Sequence, residues 1–279
     1  MAGVQGDLVR ERWGLAGLVS VAARMWLAAT LADVGQFDEA IECAGMGLAI
    51  AEQADHPWSR AVSYMTMGLV QLSRGEHELA APVLDRGIAF AREMDLGAWL
   101  PMLLCERGLV AARAGRADEG VRLLEEGVER GATLGILSGQ AQRLTWLAEG
   151  LRLAGRGEKA VATAREAHRL ASSQRERGHA AGALRMLGEA LADPGEAAGH
   201  VGAALAEARA LGMRPLEARC RLDLGLFAAR MGQSDIGREH LHCAERLLDA
   251  MGMRYWLSAA RSALLALPGS GSSRTIRNP

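Results

Sequence analysis

Five short stretches decide how this chain folds: Gly35-Gln-Phe-Asp-Glu-Ala40, Gly75-Glu-His-Glu-Leu-Ala80, Gly115-Arg-Ala-Asp-Glu-Gly120, Gly155-Arg-Gly-Glu-Lys-Ala160 and Gly232-Gln-Ser-Asp-Ile-Gly237. In each, the glycine closes an apolar-periodic segment and a small residue follows five positions on. Gly35, Gly75, Gly115, Gly155 and Gly195 stand 40 residues apart, and Gly232 follows after 37. A second small residue precedes each turn by seven positions: Ala28, Gly68, Gly108, Ala148, Gly188 and Gly225. A third often follows by twelve, at Gly47, Gly87, Gly127, Ala167 and Ala244. This spacing predicts a repeated unit of helix A, tight turn and helix B. The small residues mark places where two helix backbones approach closely, because a bulky side chain would wedge them apart. A mid-helix glycine costs about 1 kcal/mol against alanine, so close packing must offset it.

In the second unit the pattern predicts helix A over residues 58–74 and helix B over 78–94. Asp38, Asp118 and Asp235 sit near B-helix starts, where a carboxylate can satisfy free backbone N–H groups. Gly97, Gly135 and Gly212 are expected just beyond B-helix ends. Pro194 forces its predecessor out of the helical region, so the fifth A helix is expected to end early or its turn to be rebuilt. The chain therefore reads as all-α, a right-handed solenoid of about 40-residue repeats. Residues 1–17 form a lead-in, with a short helix over 4–13. Residues 18–267 form one superhelix of six helix pairs and a C-terminal capping helix. Residues 268–279, rich in Gly, Ser and Pro, read as a flexible tail.

Composition agrees. Of 279 residues, 49% are apolar and 23% charged, enough for a real core, while aromatics are only 4%. Lys+Arg at 32 against Asp+Glu at 33 argues against general nucleic-acid binding. Cys43, Cys105, Cys220 and Cys243 lie far apart, so a reducing, cytoplasmic setting is expected. The start of the chain lacks the features of a signal peptide, and no long apolar run suggests a membrane span.

Tyr64, Met67, Gly68, Gly75, Ala80, Leu84 and Gly87 carry a pattern that resembles the tetratricopeptide repeat, stretched from 34 residues to 40. The chain is similar to the long-repeat superhelix at the C-terminus of large bacterial transcriptional activators related to the maltose activator. Arg12-Trp-Gly-Leu-Ala-Gly-Leu18, Ala54-Asp-His-Pro-Trp58, Arg175-Glu-Arg-Gly-His-Ala180, Gly212-Met-Arg-Pro-Leu216 and Met251-Gly-Met-Arg-Tyr-Trp-Leu257 narrow the resemblance. They look like a bacterial group in which a nucleotide cyclase or another effector precedes a signalling ATPase module and the repeats come last. The resemblance implies a sensing or scaffolding role. It does not carry ATPase or cyclase activity over, because the sequence has no Gly-x-x-x-x-Gly-Lys-Ser/Thr loop.

No catalytic signature is legible, and neither an enzyme activity nor a cofactor is expected. His240 and Cys243 can share a helix face but His242 cannot join them, and two ligands do not make a zinc site. The inner positions of the A helices divide into two halves. Met25, Met65, Leu69, Leu72, Met102 and Leu109 make an apolar stripe in the first three repeats. Glu149, Arg152, Arg185, Glu189 and Arg219 make a charged one in the last three. The stripe is either a groove for a peptide, helix or neighbouring domain, or it is buried by the A helices' own partners or by a superhelix closing on itself. The expected partner is a protein or peptide: the associated ATPase or cyclase module, a separate protein, or a second copy. A small-molecule sensor is the alternative, with the charged residues as polar anchors.

Overall fold

The computed structural model describes residues 10–268. It contains thirteen helices and no strand among them: α1 (Val19–Val34), α2 (Phe37–Gln53), α3 (Pro57–Arg74), α4 (His77–Glu93), α5 (Leu100–Arg113), α6 (Ala117–Thr133), α7 (Gln140–Leu153), α8 (Gly157–Ser173), α9 (Arg177–Ala190), α10 (Pro194–Ala210), α11 (Arg214–Arg230), α12 (Ser234–Ala250) and α13 (Arg254–Ala266). The lead-in helix expected over residues 4–13 and the tail expected over 268–279 fall largely outside the described residues.

The glycine ladder works through backbone geometry. Gly35, Gly75, Gly115, Gly155 and Gly232 all have φ between 72° and 89°, a region open to glycine at no steric cost. The amide after each glycine reaches back five residues, as Gln36 N–H to the Leu31 carbonyl at 2.8 Å and Arg116 N–H to that of Ala111 at 3.0 Å. This closes the A helix and satisfies its last carbonyls.

Gly195 is the exception and corrects the ladder. It lies inside α10, and the chain turns earlier, through extended Leu191 and Asp193. Pro194 takes the first helical position, and the Asp193 side chain accepts from Glu196 N–H at 2.7 Å. Proline with a capping aspartate starts a helix as well as a glycine ends one.

The return turns hold a second ladder. Asp55, Asp95, Gly135, Arg175, Gly212 and Gly252 all have positive φ. In the second repeat the residue in the left-handed region is thus Asp95, two positions before the Gly97 that was expected there. Asp38, Asp118 and Asp235 are the second residues of their helices, in the first turn, and accept no capping bond. Two of them instead bind arginines of the next repeat: Asp38 accepts from Arg74 at 2.9 Å and Asp118 from Arg156 at 2.7 Å.

Helices α3, α5, α7, α9 and α11 form an inner layer that buries more of each helix than the outer layer does. In α5, eleven of fourteen residues are buried. The even-numbered helices bury one narrow stripe, such as Ala160, Ala164, Ala167 and Ala171 of α8. The small residues sit where A and B helices meet. A Cβ on Gly108 would come within 2.8 Å of the Gly120 carbonyl oxygen, and one on Gly188 within 2.8 Å of that of Ala197.

The two ends of the superhelix meet. Ala28 and Ala32 of α1 and Val70 of α3 share one apolar cluster with Leu222 of α11 and with Met251 and Trp256. The turn glycine Gly35 faces Met251, and Gly75 faces Tyr255 and Trp256. The last helix therefore lies against the second repeat.

Candidate functional site

Closure gathers the charged inner positions into one buried cluster. Arg113 at the end of α5 donates both Nε and Nη2 to Glu149 of α7, at 2.7 and 3.0 Å. Arg219 of α11 reaches the same carboxylate at 3.4 Å. Arg185 of α9 binds Asp223 of α11 at 2.7 Å and Glu189 at 2.8 Å. Arg152 of α7 approaches Glu189 at 3.4 Å. The Arg113 and Glu149 side chains retain only 4% and 8% of their exposure. Paired, bidentate geometry is what makes such burial tolerable.

The charges set one another's protonation. Burial alone would raise the Glu149 carboxyl, but the Arg113 and Arg219 guanidiniums hold it well below the usual carboxylate range. Burial acts the same way on Glu189, and Arg185 with Arg152 again brings it down. Asp223 is pushed up to about 7 by burial and then by the negative charge of Glu189. The Arg185 guanidinium serves two carboxylates, and Arg152 lies within ion-pair distance of Glu189 but not of Asp223. Burial, and after it the like charge of Arg185, lowers Arg219 to about 10.

Over this cluster lies Trp256 of α13, 7% exposed. The Arg113 guanidinium sits 5.2 Å from its ring and that of Arg219 4.9 Å. Tyr255 meets the indole edge-on at 5.3 Å, and His77 at the start of α4 meets Tyr255 at 4.6 Å. Burial, followed by repulsion from Arg113, lowers His77 to about 4, which keeps its imidazole neutral at pH 7.

The apolar half of the expected site is closed. Met65, Leu72 and Leu109 are buried in the largest core cluster, and Met25, Leu69 and Met102 pack half-buried against it. A partner cannot reach the first three while the superhelix is closed, because neighbouring A helices fill the space that an open groove would leave. The polar half is brought together in full: Glu149, Arg152, Arg185, Glu189 and Arg219 all belong to the cluster. Sequence reasoning missed Asp223, Trp256 and His77. Asp223 stands four residues after Arg219, one helical turn along the same face, and that register was the available signal.

No family model matches the chain, and no curated protein matches it either. Solved structures do, at low identity. The apo form of RapI aligns with TM-score 0.64 and 12% identity over 88% of this chain and 84% of its own. A Rap protein complexed with competence and sporulation factor aligns with TM-score 0.61 and 13% identity, over 86% and 80%. A signal transduction ATPase with numerous domains from Pyrococcus horikoshii, which has a tetratricopeptide repeat sensor, aligns with TM-score 0.50 and 14% identity. There the match covers 88% of this chain but 38% of the other. These likenesses establish a tetratricopeptide-like helical-repeat solenoid. No described helix is long and apolar enough to cross a membrane.

Proposed function

We propose that this chain is a non-catalytic regulatory interaction domain that binds a peptide, a helix or a neighbouring domain on its concave face. The observation that carries this reading is the arginine-rich cluster of α5, α7, α9 and α11. A cluster built from four separate repeats changes shape when the repeats shift, so an occupant that engages it is felt along the whole superhelix. The neighbours support it: one was solved with competence and sporulation factor, and another carries its repeats as the sensor of an ATPase. An associated ATPase or cyclase effector is accordingly the partner we favour for the signal, with a separate protein or a second copy as the other candidates. A small-molecule sensor has less behind it. The cleft of about 180 Å³ at the seam, lined by Phe37, Arg74 and Met251, is smaller than the ~300 Å³ of ordinary ligand pockets.

The test is selection of binders from a random peptide library on the purified chain. Selected peptides should lose affinity at least tenfold on Arg152→Glu at the concave side and keep it on Arg169→Glu, which lies on the exposed face of α8. Binders that ignore Arg152 and depend on Arg169 would refute the concave reading.

A further inference from the structure

Helix α13 closes the superhelix and at the same time occupies its charged cluster. Of its thirteen residues only Trp256, Leu257 and Ala260 are buried, and among the described residues no further helix follows it. Its largest buried side chain, Trp256, meets the apolar cluster of α1, α3 and α11 on one side. It also lies within cation–π distance of two arginine guanidiniums that a glutamate joins. The cluster is also incompletely matched. Arg113, Arg152, Arg185 and Arg219 face only Glu149, Glu189 and Asp223, so positive charge is in excess. The buried Nε of Arg219 and Nε2 of His77, two residues that neighbour the indole, find no protein partner. The indole fills the space and the cation–π geometry but offers no acceptor to either nitrogen.

We propose that α13 is a displaceable latch on this cluster, and that the ligand taking its place is a peptide segment presenting an aromatic side chain beside a carboxylate. The aromatic ring inherits the position of Trp256 beside the two arginines. The carboxylate meets the excess positive charge, with Arg219 Nε as its donor. Displacing Trp256 also removes the residue that Gly75 and His77 pack against. Ligand binding and closure of the superhelix thus compete for one place. The proposal rests on the peptide-binding reading above and specifies its ligand.

The experiment uses the full chain carrying Trp256→Ala, with N-acetyltryptophan and N-acetyltryptophanamide as probes, titrated by heteronuclear NMR. The two probes share the indole and differ in the carboxylate. The carboxylate form should bind at least tenfold more tightly than the amide, and adding Arg219→Gln should abolish the difference. The unaltered chain, with its own Trp256 in place, should bind both at least tenfold more weakly. A synthetic peptide of residues 253–266 should bind the Trp256→Ala chain and lose that binding when its own tryptophan is alanine. Equal binding of the two probes, or no binding of either, overturns the proposal. Should Trp256→Ala lose its helicity, Trp256→Leu replaces it. Loss of the fold in both means that Trp256 is core, and the latch is overturned. The library experiment is independent: concave binders that leave α13 in place would sink the latch and leave the peptide-binding reading standing.

Discussion

Gly108 and Gly182 are both mid-helix glycines, and alanine should move the stability of the protein in opposite directions at the two sites. Helix propensity treats them alike: either Gly→Ala change gains about 1 kcal/mol. The surroundings do not. A Cβ on Gly182 meets nothing within 4 Å, so the propensity gain stands alone. A Cβ on Gly108 meets the Gly120 carbonyl oxygen at 2.8 Å, Leu124 Cγ at 2.9 Å and the Leu124 amide nitrogen at 3.0 Å. Two of those three atoms are backbone of α6, so no side-chain rotation relieves them. The helices must part by about 0.5 Å, and a gap of that size already forfeits about a quarter of the dispersion well at each atom pair along the contact. Gly120 and Gly127 sit in the same interface and are as tightly placed, which leaves α6 nowhere to slide. Overpacking of this kind costs about 1–3 kcal/mol. The net for Gly108→Ala is a loss of about 1 kcal/mol, and for Gly182→Ala a gain of about the same. Urea melts followed by helical ellipticity should place the two variants about 2 kcal/mol apart on either side of the parent. Gly108→Leu should fall further, by a few kcal/mol. A Gly108→Ala variant as stable as Gly182→Ala would refute the close-packing account of the glycine ladder.

Glu106 is fully buried on α5 with neither carboxylate oxygen partnered, and burial raises its pKa well above the ordinary value. A raised carboxyl keeps its proton in the fold after the unfolded chain has lost it, so the parent should lose up to about 1.4 kcal/mol per pH unit as pH rises above the ordinary carboxylate value. Glu106→Met should flatten that slope and add about 1–3 kcal/mol at pH 7; superimposable pH profiles would count against it. Breaking the Arg113–Glu149 fork by Arg113→Met should cost about 3–5 kcal/mol by stranding a buried carboxylate, and adding Glu149→Met should recover most of the loss. A double variant no better than the single in thermal melts would show that the fork is not the source. Arg175 holds φ 59° in a return turn, where a side chain costs about 1–2 kcal/mol. Arg175→Gly should therefore raise stability by about 0.5 kcal/mol after the extra freedom of the unfolded glycine is subtracted, and a lowered melting temperature would contradict the turn geometry.

The parts of this molecule that were legible in its sequence are those fixed by neighbours a few residues away. The turn glycines carry a local requirement for positive φ, and they announce five of the six A-to-B turns. Gly195 imitates the ladder because its position fits, yet Asp193 and Pro194 beside it make a helix start instead. The return-turn ladder stays hidden at Asp55, Asp95 and Arg175, since only geometry shows that these residues occupy a glycine's conformation. The candidate site divides along the same line. Register along the A helices places Glu149, Arg152, Arg185, Glu189 and Arg219 on one face. Trp256 and His77 join them only because small rotations, summed over six repeats, bring the last helix back onto the second. That sum is not written in any one repeat. It is also why Met65, Leu72 and Leu109 read as a groove and are core.

The uneven inner face follows from the closure. Apolar side chains suffice where α1 and α3 meet α11 and α13, because contact there only has to exclude water. They bind without direction and permit sliding. The charged half does what they cannot. Glu149 ties α7 to both α5 and α11, and Arg185 ties α9 to α11, so four inner helices share one set of directional bonds. A buried fork fits one geometry and strands its charges in any other. The cluster thereby selects one curvature of the superhelix out of a range that the apolar contacts would tolerate. The proposed regulatory role requires two such curvatures, close in free energy and distinguished by a ligand. Placing the charges that select the closed curvature directly under the helix that completes it lets one binding event act on both.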